Sequence, residues 1–408
     1  VLTTGTELLL GTTRNTHGGW FGQQLFKLGM RIARQVTVPD GPPVGQAMRA
    51  ALRASDVLLV TGGLGPTSDD LTREELAEVL GIDLVTDEAA LRSLEAFFAK
   101  RGLEMAEANR KQALVPVGAD VLPNPHGTAP GLYLPPRLSG EYRCAVFLLP
   151  GPPRELYPMY ENEVVPRLKA LTGGERIPAM RNLRFVGIGE SALQEQLDEL
   201  LHAIAGLEVG YCARMGEVDL RLIGEAAAVK EGEALAVARF PTELVSREEE
   251  SLEETLVKLL IAGGFSVATA ESCTGGLIAN RITDVPGSSA VFTHGFVTYA
   301  NEAKRDLLGV SWDDLYEHGA VSEPVARQMA EGAMRVSGCD FAVAVTGIAG
   351  PDGGSEEKPV GTVFISLARR DGETVVLEQL HPRPRLDFKY AVSQSALNLV
   401  RRAVSGQD

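Results

Sequence analysis

Ala270-Glu271-Ser272-Cys273-Thr274-Gly275-Gly276 stands between a short apolar run, Phe265 to Thr269, and a stretch where Leu277, Ile278, Arg281 and Ile282 recur at helical spacing. The order reads as buried strand, sharp turn, helix. Ser272 then sits where the first backbone N–H groups of a helix point outward, and such donors hold a developing oxyanion or a phosphate. From this stretch alone a plainer reading is equally open: a Ser/Thr helix cap followed by glycines that let helix and strand pack closely.

Five further segments follow in order: Pro286-Gly287-Ser288-Ser289, Val297-Thr298-Tyr299-Ala300-Asn301-Glu302-Ala303-Lys304, Gly319-Ala320-Val321-Ser322-Glu323, Thr346-Gly347-Ile348-Ala349-Gly350-Pro351 and Lys358-Pro359-Val360-Gly361-Thr362. Together they resemble the C-terminal domain of the CinA (competence/damage-inducible) family over roughly residues 250 to 405. The resemblance implies a metal-free nicotinamide mononucleotide deamidase, which yields nicotinic acid mononucleotide and ammonia.

Amide hydrolysis needs a nucleophile, a proton acceptor and donors for the oxyanion. His294, His318 and His381 are isolated and read as structural. Lys304, on the helix after a strand at Phe296 to Tyr299, serves as a base if a closed pocket lowers its pKa by desolvation. Judged by its own surroundings it reads as an exposed helix lysine; the family's Ser-Lys arrangement brings Ser272 and Lys304 forward. Cys273 is the rival nucleophile, but its place in the turn points it into the core. Tyr299 is expected to orient the base or the carboxamide. The Thr346–Pro351 loop, after a buried strand at Phe341 to Val345, is expected to close the pocket. The resemblance implies substrate contacts at Thr274, Gly275, Gly276, Asn301, Thr346 and Gly347. Arg385, in Pro384-Arg385-Leu386-Asp387, stands where the family has Gly-Asp-Arg, and a guanidinium suits the nucleotide's phosphate.

The 408 residues predict two or three domains. A net charge of −15 disfavours nucleic acid and anionic membranes. The four cysteines, Cys144, Cys212, Cys273 and Cys339, form no C-x-x-C pair, which fits a reduced cytoplasm and gives no zinc site. No run is long enough for a membrane span and no signal-peptide pattern opens the chain. Val1 already lies in a strand-like run, so native residues are expected upstream.

Residues 1–168 alternate apolar strands (Arg31 to Val38, Asp56 to Thr61) with amphipathic helices (Thr16 to Leu28, stopped by Gly29), the pattern of a parallel sheet covered on both faces. Thr61-Gly62-Gly63-Leu64-Gly65-Pro66-Thr67-Ser68-Asp69-Asp70-Leu71-Thr72 follows a buried strand and precedes a helix, the place where α/β sheets collect ligands. Two carboxylates about 4 Å from a phosphate would each repel it by roughly 4 kcal/mol at moderate dielectric. A divalent cation between them reverses that sign. The plainer reading is that Asp69 or Asp70 caps the helix.

Gly5-Thr6-Glu7-Leu8-Leu9-Leu10-Gly11, Asn109-Arg110-Lys111-Gln112, Asn124-Pro125-His126-Gly127-Thr128-Ala129-Pro130-Gly131 and Leu149-Pro150-Gly151-Pro152-Pro153-Arg154-Glu155 resemble the N-terminal domain of the same family, which shares its fold with molybdopterin-binding proteins. The resemblance implies metal-dependent ADP-ribose hydrolysis. Gly62, Gly63, Gly65, Thr67, Lys111, Asn124, Gly127 and Thr128 would hold the substrate. Asp69, Asp70 and Glu7 would hold Mg, Mn or Co. The family's Asp/Asn-Thr-Asn is here Asn15-Thr16-His17.

Residues 176–246, with a helix at Ser191 to Ile204 and a strand at Val218 to Ile223, resemble the family's small KH-like domain. Between 181 and 247 there are 11 acids and 7 bases, and the Gly187-Ile188-Gly189-Glu190 loop ends in an acid. A spacer or dimerising module is expected rather than an RNA clamp. Arg247-Glu248-Glu249-Glu250 marks a junction before a helix at Ser251 to Ala262, leaving 250–405 as the deamidase domain. The expected architecture is thus multidomain α/β: a molybdopterin-binding-like sandwich, a small α+β KH-like domain and an α/β CinA domain, in a cytoplasmic homodimer. Two other readings stand beside it, a molybdopterin binder without N-terminal catalysis and a competence or DNA-damage binding partner. The acidic charge argues against direct nucleic-acid contact.

Overall fold

Short β-branched runs set the strands of the first half of the chain. The computed structural model describes residues 1–136, 142–173 and 177–407. Two compact units, Val1–Ile177 and Pro178–Asp408, result. The expected boundary at position 176 falls outside the described residues.

In the first unit the strands are β1 (Leu2–Thr4), β2 (Val36–Val38), β3 (Val57–Thr61), β4 (Leu84–Thr86), β5 (Leu114–Pro116), β6 (Asp120–Leu122), β7 (Gly131–Leu134) and β8 (Ala145–Leu149). The main sheet runs β2-β1-β3-β8-β7-β6, and β4 pairs with β5 apart from it. The first four strands are parallel and the last two join antiparallel. Both faces are covered, as β3 shows: Leu58 and Val60 pack with Met48, Leu52 and Leu76, whereas Leu59 packs with Phe21, Leu25 and Phe147. Only Val36–Val38 of the expected strand at 31–38 pairs, and the expected helix at 16–28 spans His17–Phe26.

The second unit begins with β9 (Ala179–Val186), β10 (Glu208–Arg214), β11 (Glu217–Gly224) and β12 (Leu244–Ser246) in an antiparallel sheet ordered β10-β11-β9-β12. Leu193, Leu197 and Leu201 of the helix Glu190–His202 and Val229 and Ala236 of the helix Ala226–Arg239 supply its core. The charged run that follows is pinned, not an open linker. Arg184 donates to the carbonyls of Glu249 (3.4 Å) and Glu250 (3.1 Å), and Ser251 caps the helix Leu252–Gly263 through a reciprocal bond pair with Glu254.

The remaining strands are β13 (Val267–Glu271), β14 (Phe292–Val297), β15 (Phe341–Gly347), β16 (Thr362–Arg369) and β17 (Val375–Leu380), ordered β14-β13-β15-β16-β17. β13 is parallel to both neighbours, and β16 and β17 are antiparallel additions. The helices Leu252–Gly263, Leu277–Thr283 and Arg385–Val404 cover one face, and Asn301–Leu308 and Glu323–Ser337 the other. β13 starts two residues later than its apolar run suggests, because Phe265 leaves the strand to pack edge-on against Phe341. That shift ends the strand on Glu271. Among the described residues no helix is long and apolar enough to cross a membrane.

Candidate active site

Three strand ends converge on Ser272. Its backbone N–H donates to the Val345 carbonyl of β15 (3.0 Å), and on the other side the Thr298 N–H donates to the Glu271 carbonyl (2.8 Å). Parallel pairing of β13 with β14 and β15 thus brings Ser272, Thr298–Tyr299 and Thr346–Gly347 to one edge, as expected of ligand sites in α/β sheets. Ser272 is half-buried, and no hydrogen bond holds its Oγ among the described residues.

Glu271 organises the turn. Its fully buried carboxylate accepts from Thr274 Oγ1 (2.7 Å) and from the N–H groups of Gly276 (3.0 Å), Ile278 (3.0 Å) and Ala279 (2.8 Å). The helix start therefore carries its own anion, and the expectation that its free N–H groups face a substrate is corrected. Gly275 and Gly276 have φ of 62° and 94°, which lets the chain fold back over that carboxylate. Thr274 is wholly buried and donates to Glu271, so it positions the turn instead of touching substrate.

Lys304 is only 1% exposed, against the plainer reading of an exposed helix lysine. Its Nζ donates to the carbonyls of Thr298 (3.0 Å) and Tyr299 (3.2 Å) and meets no carboxylate in an ion pair among the described residues. Desolvation holds its pKa below the usual lysine value. Cys273 lies in the hydrophobic core and burial pushes its thiol up to about 12, so the sulfur is protonated and inert at neutral pH. The two groups are close enough to interact electrostatically, which places the amine beside the nucleophile turn.

Tyr299 is 62% exposed, and its hydroxyl accepts from Arg385 (2.9 Å), whose other nitrogen donates to the Gly350 carbonyl (2.9 Å). Tyr299 is therefore tied to the arginine, not to Lys304. Asn301 is half-buried in the first turn of the Lys304 helix. Thr346 is buried, and its hydroxyl donates to the Ala320 carbonyl (2.7 Å), joining the two loops. Gly347 is required by packing: a Cβ there would lie 2.8 Å from the Thr362 carbonyl across β16. Lys389, one turn after Arg385, escaped the sequence reading; its Nζ is 3.6 Å from where a Cβ on Gly275 would stand. The i, i+4 spacing of two cations on a helix facing the turn was the available signal.

In the first unit the glycine loop after β3 is braced by side-chain cations. The fully buried Arg73 donates to the carbonyls of Leu64 (3.0 Å) and Gly65 (3.3 Å), and Lys111 to those of Thr67 (2.5 Å) and Asp70 (2.8 Å). Gly63, Leu64 and Gly65 keep N–H groups without a hydrogen-bond partner among the described residues. Gly62 and Gly63 approach Thr4, where a Cβ on Gly62 would meet the Thr4 carbonyl at 2.7 Å. Arg73 and its bracing role were missed because a helix arginine after acidic residues reads as solvated.

Lys111 thus holds the loop, not a ligand. Asp70 accepts from the N–H (3.0 Å) and hydroxyl of Thr67, and Leu71 rather than either aspartate is the helix cap. Asp69 is exposed, its carboxyl held below the ordinary range by the Thr67 hydroxyl and its own backbone N–H. Glu7 is exposed and folds back over Gly5, where a Cβ would stand 2.6 Å from its Oε1. No three Asp, Glu, His or Cys side chains gather as a cation cage among the described residues, so Glu7 does not complete a set with Asp69 and Asp70. Asn124 donates to the buried Glu155 (2.8 Å), Gly127 packs on that carboxylate, and Thr128 accepts from Gln112 (3.1 Å). These three line a separate cavity of about 250 Å³. His17 reaches Thr61 Oγ1 (3.0 Å), and burial lowers its pKa.

The "CinA C-terminal domain" matches residues 249–404, the "Damage-inducible protein CinA KH domain" 180–240 and the "Probable molybdopterin binding domain" 1–170. A CinA-like protein of Akkermansia muciniphila is 52% identical across 97% of this chain and 95% of its own length. The chain belongs to the CinA family. A protein of Symbiobacterium thermophilum named for competence-damage induction is also 52% identical, over 90% of this chain and 87% of its own. The crystal structure of the competence/damage inducible protein CihA from Agrobacterium tumefaciens, 46% identical, covers 38% of this chain and 97% of its own with a TM-score of 0.36. As a CinA protein the chain combines the molybdopterin-binding-like, KH and CinA domains expected from its motifs.

Proposed function

We propose that the second unit hydrolyses the carboxamide of nicotinamide mononucleotide to nicotinic acid mononucleotide and ammonia. The observation that carries this reading is Lys304, a buried amine near the Ser272–Cys273 turn whose pKa burial lowers and which forms no ion pair among the described residues. Ser272 Oγ attacks the amide carbon as neutral Lys304 takes its proton. Lys304 returns the proton to the departing nitrogen, which leaves as ammonia. A water molecule, deprotonated by the same amine, then cleaves the acyl ester and restores Ser272. Arg385 and Lys389 would hold the nucleotide's phosphate. The direct test is incubation of the pure protein with nicotinamide mononucleotide and identification of both products.

The rising limb of kcat/KM against pH is expected below the ordinary lysine pKa of 10.5. Lys304→Ala should lose at least about 10²-fold in kcat and flatten that limb while still binding substrate. Stability follows the same group. Between its folded and ordinary pKa the unfolded chain binds the extra proton, so stability rises with pH across that window in the wild type and not in the variant. Unchanged turnover of Lys304→Ala at neutral pH would remove it from the mechanism.

For the first unit we infer cation-assisted cleavage of the ADP-ribose diphosphate. Its support is the braced loop with free N–H groups beside Asp69. Asp69 and the uncommitted oxygen of Asp70 fit a cation that draws its other ligands from water and diphosphate; Mg, Mn or Co would supply charge neutralisation there. Chelator is expected to stop release of AMP from ADP-ribose and to leave ammonia release untouched. Equal sensitivity of both reactions would show that this division is wrong.

A further inference from the structure

A cleft of about 550 Å³ opens between the Gly187–Glu190 loop, β17 and the helix Arg385–Val404. Hydrolysis at Ser272 uses none of its walls. Gln394, Asn398 and Arg402 present one stripe of the helix to it, whereas Arg385 and Lys389 lie on the stripe that meets the nucleophile turn. Gln394 ties the walls together by donating to Glu217 of β11 (3.3 Å), and a Cβ on Gly187 would stand 3.6 Å from Asn398 Nδ2. The glycine loop therefore faces another part of its own chain.

Charge identifies the ligand. Arg214, Arg383 and Arg402 all line the cleft. Arg214 is spent on Asp219 (2.9 Å), and the lining acid Glu217 is shared between Arg184 (3.7 Å) and Arg214 (3.8 Å). Arg383 and Arg402 form no ion pair among the described residues; Arg402 Nε donates only to the Gln407 carbonyl (3.0 Å). Against them stands Glu190, on the rim. Two uncommitted guanidinium groups in a concavity of mononucleotide size match a phosphate dianion. The 13-residue helix Glu190–His202 also opens on the cleft, with Gly189 as a cap that supplies no side-chain acceptor.

We propose that this cleft binds a phosphate-bearing small molecule of mononucleotide size and that its occupancy is felt at the hydrolytic site. The link is five residues long. His381 N–H donates to the Gly361 carbonyl (2.8 Å), Arg383 lines the cleft, and Arg385 binds Tyr299 and the Gly350 carbonyl. A phosphate that draws Arg383 toward Arg402 pulls on the segment that positions Arg385.

Calorimetric titration of the full-length protein with AMP, and separately with inorganic phosphate, tests the binding. One AMP event should weaken at least tenfold in Arg383→Ala/Arg402→Ala and disappear in Ser395→Trp, which fills the cleft. Asp69→Asn and Arg385→Ala should leave that event unchanged. Phosphate binding as tightly as AMP would identify the free ion as ligand; a clear preference for AMP identifies a nucleotide. Equal affinities in wild type and both cleft variants, or tighter binding of a short single-stranded RNA lost in the same variants, would overturn the proposal. The kinetic arm rests on the deamidase reading. AMP should change KM for nicotinamide mononucleotide in the wild type but not in Arg383→Ala/Arg402→Ala, whose basal turnover is unchanged. Binding without any KM change would overturn the coupling, while a wild type that releases no ammonia would fail the deamidase reading and leave calorimetry to decide the site.

Discussion

Ser272→Ala is expected to lower ammonia release from nicotinamide mononucleotide by at least about 10³-fold, because nothing else at the turn can take its place as nucleophile. Cys273 is one residue away and intrinsically more reactive, yet its thiol is buried in the core and pushed up to about 12. Cys273→Ala should therefore retain turnover within about threefold, its cost being a small loss of packing. Ammonia release measured on both variants, with calorimetry to confirm that Ser272→Ala still binds substrate, separates the two nucleophiles. Activity lost with the cysteine and kept without the serine would reverse the assignment.

Glu271→Ala is expected to be the most damaging substitution outside the reacting groups. It leaves a hydroxyl and three N–H donors buried without an acceptor, at about 1–3 kcal/mol for each group that water cannot reach. Partial relaxation of the turn reduces the sum to about 4 kcal/mol, which for a unit of this size lowers Tm by roughly 10 °C. Turnover should fall by about 10²-fold or more at temperatures where the variant stays folded, since Ser272 adjoins the lost anchor and small misplacements of a nucleophile are costly. Glu271→Gln keeps one acceptor oxygen but turns an NH₂ toward donors, so it should recover only part of the stability. Scanning calorimetry beside a deamidation assay checks both effects. An alanine variant that melts within about 2 °C of wild type would show that the carboxylate does not hold the turn.

Period and punctuation made much of the architecture legible. The buried strands at 57–61, 218–223 and 341–345 and the helices after Ser191 and Ser251 lie close to where apolar spacing and capping residues put them. The ordered motifs carried the family and the three-domain composition, because turn glycines and strand-end residues depend on local backbone geometry that a linear pattern records. Side-chain commitments depend on neighbours distant in sequence and were not legible. Lys304 reads as a surface residue in its own helix, and only closure of β14 against β13 shows it buried on the Thr298 and Tyr299 carbonyls. Lys111 reads as a substrate contact, whereas the fold sets its amine to bracing the loop, and one oxygen of Asp70 is likewise spent on Thr67. Glu271 reads as one more residue of the turn, and only the fold shows it ending the strand with the turn closed over its carboxylate. Sequence by itself determined where several strands and helices lie and where the chain turns; tertiary structure decided which strands pair and which polar groups remain free for chemistry, since a buried donor or charge takes whatever partner the packing brings within about 3 Å.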